Sequence, residues 1–390
     1  MGLIKEIVDS HDEMIRWRHD LHRYPEPSLH EQRTASKIAE LLRSFGFDEV
    51  REKVGEMGVI GVLRNGGSSM IGLAAAFDGE DISERGNPGD YKSRQPKYMH
   101  ALGHDGEVSM LLGAAKYLAH TRRFKGDVIF IFYSSYSGGV GARAIIEEGL
   151  FELYPVERLF TLLNVPELPE GEVAVGVGPV RSAVAELLVK VVGKSGNAAF
   201  PNRAKNPILA ASEVVNFLET LTSGALDPAS PLSICITSMN AGGDFDHIPK
   251  EIELKASVRF LNRSFESWLP VHVDALISKI AEFHGMRAIV SYRMVTPVTN
   301  NDAAAVRYAR GAIKDLFGAQ EVNESQAASL LGSDIGYFLN ECPGACISIG
   351  NGISRGFLLT STYDFNDDIL PIGASVLARL VEKEKEINSQ

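Results

Sequence analysis

The sequence predicts an α/β protein of two domains, and three observations carry that prediction. At 390 residues the chain exceeds the roughly 250–300 residues at which a single core stops growing. Short apolar runs alternate with helical periodicity over residues 1–181 and again over 295–390, the pattern of a layered domain with a largely parallel sheet. Between them, residues 182–294 read strand, helix, strand, strand, helix, strand, which is the ferredoxin-like βαββαβ unit. The simplest organisation is a discontinuous α/β domain, 1–181 and 295–390, interrupted by the inserted unit 182–294.

The elements follow in order. Helical periodicity runs from Ile4 to His22 and stops at "YPEP"; a second helix, "EQRTASKIAELLRSFG", ends at Gly46 as a C-cap does. "GVIGVL" and "MIGLAAA" read as strands, "DGEVSMLLGAAKYLAHTRR" as a helix and "DVIFIFYSS" as a buried strand. Then come "GGVGARAIIEEGLF" as turn plus helix and "RLFTLLNV" as a strand. In the insert, "AVAELLVKVVG", "SICITSMNAG", "EIELKASVRFL" and "RAIVSYRMV" are strands; "NPILAASEVVNFLETL" and "WLPVHVDALISKIAEFHG" are helices. The chain then returns to helix "DAAAVRYARGAIKDLFG", strand "ACISIG" and helix "LPIGASVLARLVEKEKE". In an open α/β sheet the site is expected at the strand C-termini.

Composition excludes several classes. With 45% hydrophobic and 23% charged residues the chain reads as globular. A net charge of -11 argues against nucleic acid or an anionic membrane as partner, since both need clustered Lys and Arg. No apolar run approaches the ~18 residues that span a bilayer. "MGLIKEIVDSHDEMIRW" carries acids where a signal peptide carries an uninterrupted apolar core. Three cysteines, Cys235, Cys342 and Cys346, form no disulfide framework; the pair in "CPGAC" is read as buried packing in preference to a metal or redox pair. A reducing cytoplasm fits.

Six stretches together carry a family likeness: "WRHDLHRYPEPSLHEQRTA" (17–35), "HALGHDGE" (100–107), "GGVGARAIIEEGLFE" (138–152), "GKSGNAAFP" (193–201), "IPKEIELKASVR" (248–259) and "YDFNDDILPIGA" (363–374). With them, nearly the whole chain resembles the zinc- or manganese-dependent amidohydrolases of the aminoacylase, hippurate hydrolase and indole-acetyl-amino-acid hydrolase group. The resemblance implies a two-domain metallopeptidase fold that dimerises through the inserted domain, here 182–294. It also implies two metal ions and a carboxylate base that activates a bridging water.

The motif that the family writes H-x-C-G-H-D-G-H stands here as "HALGHDGE". Leu102 replaces the thiolate ligand, His104 keeps the imidazole and Glu107 replaces the last histidine. The Glu-Glu pair that supplies base and ligand is Tyr136 and Ser137. Two further ligand histidines align with Leu163 and Leu359, the lid histidine with Asn197, and "RADMDALP" with "AAAFDGED", which keeps only Asp78. Three donor positions have become leucine, which neither coordinates nor hydrogen-bonds, inside a framework that otherwise matches. The reading is therefore a scaffold kept and a metal site lost, with no metal and no cofactor expected, since function lives in the site and not the fold.

His104 is read as an acid/base oriented by Asp105 or Asp78, or as a relic bonded to a neighbour. His100 is read as structural, and Glu107 more as favourable charge at a helix N-terminus than as a catalytic group. Tyr136 is a proton donor or a filler of the vacated cavity. Ser137 lacks a nucleophile elbow. Leu102, Leu163, Leu359, Tyr133, Ser137, Asn197 and Arg259 are expected to line the substrate side, and Arg259 offers a guanidinium that clamps a carboxylate with two bonds.

Three functions compete. The favoured one is a metal-independent enzyme acting on a small amide, acyl or amino-acid-like molecule through His104, Asp105, Tyr136, Asp78 and Glu107. Its reaction would be hydrolysis, condensation, cyclisation or isomerisation. The others are an inactive relative that binds a small ligand or a protein, and a single-metal amidohydrolase.

Overall fold

The computed structural model describes residues 2–67, 69–86, 89–135, 140–224, 231–318 and 322–387. The chain divides into two compact units. Unit 1 is Met1–Gly178, Asn300–Ala327 and Tyr337–Gln390; unit 2 is Pro179–Thr299 and Ala328–Gly336.

Unit 1 is an α/β layer structure. In chain order its first elements are helix α1 (His11–Arg23), helix α2 (Gln32–Phe45), strands β1 (Glu49–Val54), β2 (Gly58–Arg64) and β3 (Met70–Ala76), helix α3 (His104–Thr121), and strands β4 (Asp127–Tyr133) and β5 (Arg158–Val165). Every residue of β3 is buried, and all of β4 except Asp127. That is what strands covered on both faces require, and it is why they read as unbroken apolar runs.

The expected single helix from Ile4 is two, Lys5–Val8 and His11–Arg23. Ser10 interrupts it by turning its hydroxyl onto the Glu6 carbonyl at 3.0 Å, a side-chain alternative to helix continuation.

Unit 2 is the four-stranded ferredoxin-like layer. It contains β6 (Gly178–Val192), helix α4 (Pro207–Gly224), β7 (Leu232–Asn240), β8 (Glu251–Phe260), helix α5 (Phe265–Phe283) and β9 (Arg287–Thr296), in sheet order β9-β6-β8-β7 with every neighbour antiparallel. Its core is the inward face of those strands, with Val189, Val191, Leu254 and Val258, against Val214, Leu218, Leu269 and Ile277 of the helices.

The unit also takes in residues 328–336, which the sequence pattern leaves with the first domain. Ser329–Gly332 pairs with β6 at Arg181 and Ser182. The Leu330 carbonyl accepts from Ser182 Oγ at 2.7 Å and from Arg259 Nη1 at 2.8 Å.

The chain completes unit 1 with helix α6 (Ala303–Phe317), strand β10 (Gly344–Gly350) and helix α7 (Leu370–Ile387). Among the described residues the sheet runs β1-β2-β4-β3-β5-β10, then the short strands Val173–Ala174 and Val322–Asn323. The centre, β4-β3-β5-β10, is parallel; β1-β2-β4 and the β10 edge with Val173–Ala174 are antiparallel. The expected largely parallel sheet is thus a mixed one, because a hairpin joins β1 to β2 and needs no crossover.

Helix α3 lies in the middle of the core with fifteen of its residues buried, which accounts for its nearly all-round apolar sequence. No described helix is long and apolar enough to cross a membrane. None of the three cysteines is in a disulfide; Cys342 and Cys346 are buried and Cys235 is exposed.

Candidate active site

The parallel strands β3, β4 and β5 end at Ala76, Tyr133 and Val165, and the polar residues collect just beyond those ends. Asp78 lies two residues past β3, and His104 is the first residue of α3. Gly103 makes that junction possible. Its φ of +83° is the left-handed region, and a Cβ there would meet Tyr363 Oη at 2.6 Å and Asn164 Nδ2 at 2.7 Å.

Asp78 is the hub. Its Oδ2 accepts from Ser28 Oγ at 2.9 Å, and its Oδ1 from the Ser135 N–H at 3.1 Å. His104 Nδ1 lies 3.0 Å from the same Oδ1 and 3.2 Å from the Asp78 carbonyl. His100 Nδ1 approaches that carbonyl at 3.1 Å. A carbonyl oxygen only accepts, so both histidines carry a proton on Nδ1.

Their charges diverge all the same. Burial disfavours the His104 imidazolium, but Asp78, with Glu107 and Glu80 behind it, overrides this and raises its pKa to about 10. Burial lowers His100 to about 4, which keeps it neutral.

Glu80, a residue the motif reading passes over, joins the pair. Its backbone is bridged both ways to Met99, at 2.8 and 3.1 Å. Burial, then repulsion from Asp78, raises its carboxyl to about 7. Asp78, Glu80 and His104 present donor atoms that all lie within 4.8 Å of one another. A group able to hold one ion therefore exists where the favoured sequence reading expects none, and it shares His104 and Asp78 with the single-metal alternative. Nothing in the motif alignment singled out Glu80, which stands two residues past Asp78 and is tied to Met99.

Asp105 is a correction. It does not orient His104. Its carboxylate turns into unit 1, to His22 Nδ1 at 2.8 Å and Arg18 Nη1 at 3.3 Å, all three residues being fully buried. Arg18 also grips Asp367, with Nε to Oδ1 at 2.5 Å and Nη2 to Oδ2 at 3.2 Å, approaches Asp364 at 3.5 Å and stacks over Tyr91 at 4.3 Å. Burial opposes the Asp105 carboxylate, but His22 and Arg18 hold it well below the usual carboxylate range. His22 in turn overcomes burial and rises to about 9. Arg18 and His22 lie inside the quoted stretch 17–35, but their partners come from residues 84–105 and 364–367 and have no local signature.

Glu107 is buried and accepts from the Asn164 N–H at 3.0 Å, so it ties α3 to the end of β5. Tyr133 is buried edge-on to Phe338, with ring centroids 5.3 Å apart. Tyr136 and Ser137 lie outside the described residues. Leu102 precedes Gly103 in the same loop, and the Leu359 N–H donates to the Ala101 carbonyl at 2.8 Å. Leu163 sits on β5 beside Asn164. In unit 2, Asn197 is exposed and caps its own turn by accepting from the Ala199 N–H, and Arg259 is engaged by the Leu330 carbonyl instead of a carboxylate.

A two-ion centre needs more donors than this group supplies. The side chains of Leu102, Leu163 and Leu359 offer no lone pair, and Asp105 Oδ2 is taken by Arg18 and His22, while its Oδ1 is buried without a hydrogen-bond partner. Among the described residues one group of three, Asp78, Glu80 and His104, converges closely enough to hold an ion.

Fold and site define an amidohydrolase-type α/β scaffold with an inserted ferredoxin-like unit and a carboxylate–imidazole cluster at the strand ends. The sequence pattern of Peptidase family M20/M25/M40 matches residues 79–383, and the chain belongs to that family. It is 34% identical over 386 residues to a hippurate hydrolase of Campylobacter jejuni, covering 98% of this chain and 99% of that one. It is 32% identical over 380 residues to IAA-amino acid hydrolase ILR1-like 2 of Arabidopsis thaliana, covering 95% and 84%. Among solved structures it resembles the Bacillus subtilis YXEP protein, described as a dinuclear metal binding peptidase of the M20 family. That match has a TM-score of 0.83 and 26% identity, covering 97% of this chain and 99% of that one.

Proposed function

We propose that this M20 chain is an amidohydrolase-type enzyme whose site works without the metal pair of its relatives, using His104 clamped by Asp78 as its acid/base group on a small amide, acyl or amino-acid-like substrate. One observation carries the reading. The retained imidazole makes a direct 3.0 Å contact with a buried carboxylate, while Leu102, Leu163 and Leu359 occupy the positions that the resemblance assigns to metal donors.

In this reading Nδ1–H is fixed by Asp78, so one tautomer is held and Nε2 is the edge that exchanges a proton with the substrate. As an imidazolium His104 is a proton donor first, suited to protonating a leaving amine or a carbonyl oxygen. The half-buried Leu102 and Leu163 and the exposed Leu359 offer apolar surface to the hydrocarbon part of the substrate. The reading includes a homodimer formed through residues 182–294, which light scattering of the purified protein tests.

A second reading is favoured by the convergence of Asp78, Glu80 and His104: a single-ion amidohydrolase. Such an ion would supply Lewis-acid polarisation of an amide carbonyl.

Elemental analysis of protein purified without chelator, calorimetric titration with zinc and manganese, and amide hydrolysis with and without EDTA separate the readings. The metal-free reading expects substoichiometric metal and EDTA-insensitive turnover that His104→Ala abolishes. One tightly bound ion, lost in Glu80→Gln, supports the second reading. Two bound ions overturn both. Ligand binding without turnover identifies a binding protein.

A further inference from the structure

The loop between α1 and α2 does more than connect two helices. Residues 26–31 run across the ends of β3 and β4 and are tied down at every step. The Gly79 N–H donates to the Glu26 carbonyl at 2.8 Å, and Pro27 bridges Gly79 in parallel. Ser28 Oγ donates to Asp78 Oδ2 at 2.9 Å. The Leu29 N–H donates to Ser134 Oγ at 2.9 Å, and Ser134 Oγ donates in turn to Glu31 Oε1, whose side chain is fully buried.

Leu29 has a φ of +63°, a left-handed conformation that disfavours any residue with a Cβ and persists only where surroundings impose it. The tethers on either side impose it here. The strap is therefore held in one shape against the loop that carries Asp78.

We propose that Ser28 is a positioning residue of this site: delivered by the 26–31 strap, its hydroxyl fixes the plane of the Asp78 carboxylate and thereby the direction in which Asp78 holds His104. The terminal torsion of an aspartate is broad and nearly two-fold, so the backbone alone does not set the carboxylate plane. Donors set it. Ser28 donates to Oδ2, and Ser135 and His104 engage Oδ1. Ser134 acts one step further back, by holding the strained turn that presents Ser28.

The consequence for turnover rests on the acid/base reading above, but the geometry is tested without substrate or metal. In nitrogen-15-edited NMR of the metal-free full-length protein, the His104 Nδ1–H is expected as a slowly exchanging resonance. Ser28→Ala raises its exchange with water about tenfold or more, the scale of one lost charge-assisted hydrogen bond. Ser134→Ala does the same by releasing Leu29, and Ser28→Thr, which keeps the hydroxyl, restores slow exchange.

Ser109→Ala is the control for general loosening. It removes a 2.7 Å bond to the Asp105 carbonyl in the same helix and is expected to leave the His104 proton as in wild type. Unchanged exchange in both Ser28→Ala and Ser134→Ala overturns the proposal, as does equal acceleration by Ser109→Ala. A protein with the expected NMR behaviour and no turnover refutes the catalytic reading alone.

Discussion

Arg18→Met isolates the buried ion network from the site it adjoins. In the native protein the guanidinium is fully buried and serves three carboxylates, Asp105 at 3.3 Å, Asp367 at 2.5 Å and Asp364 at 3.5 Å. Methionine has nearly the length of the arginine stem and fills much of the space, so cavity formation is small and the loss is chiefly electrostatic. Asp105 is left fully buried with His22 as its remaining cation. Asp364 and Asp367 are about a fifth exposed, so they regain part of their hydration, and His19 still reaches Asp367 at 2.8 Å.

Removing one partner from a buried pair costs about 3–5 kcal/mol, and partial rehydration places Arg18→Met toward the lower end, about 3–4 kcal/mol. At roughly 2 °C per kcal/mol for a unit of this size, Tm falls by about 6–8 °C. Calorimetry and urea denaturation of wild type, Arg18→Met and Arg18→Lys measure it; lysine cannot span three carboxylates and is expected to recover less than half the loss. A drop below about 2 °C in Arg18→Met refutes the cost assigned here to leaving these carboxylates without the guanidinium.

Further outcomes follow from the same geometry. His22 rises to about 9 and Glu31, through burial, to about 8. Both folded values lie above the unfolded ones, so their stabilisation is complete at low pH and is lost as pH rises, between about 6.5 and 9 for His22 and between about 4.5 and 8 for Glu31. Denaturation at a series of pH values should show stability declining from pH 6.5 to 9, and His22→Gln should flatten that decline; an identical slope in the variant removes His22 as its source. Asp78→Asn, which still fills the space but no longer pairs an imidazolium, should lower turnover by about 10²–10⁴ on any established substrate, while near-wild-type turnover eliminates the Asp78–His104 pair from the mechanism. Gly106→Ala puts a Cβ into the ring of Phe365 and should cost about 1–3 kcal/mol by overpacking, read as a lower urea midpoint at unchanged slope.

Much of the fold was legible because its signals are local. Buried parallel strands such as "DVIFIFY" are unbroken apolar runs, Gly46 caps α2 with a φ of +85°, and the insert repeats the βαββαβ order strand by strand. The departures arise where a distant partner decides. Residues 328–336 leave unit 1 because the Leu330 carbonyl is claimed by Ser182 and Arg259, and no pattern within 328–336 announces that.

The site divides along the same line. The sequence by itself determined that His104 keeps its imidazole at the start of a helix, that Asp78 follows a strand, and that leucine stands at 102, 163 and 359, because residue identity and register are one-dimensional facts. Only the tertiary structure decided that Asp78 rather than Asp105 holds His104, that Asp105 belongs to Arg18 and His22, and that Glu80 and Ser28 join the cluster. Neighbouring residues at the first turn of a helix point about 100° apart. His104 and Asp105 therefore face different partners, and which partners those are is set by long-range packing that no local spacing encodes.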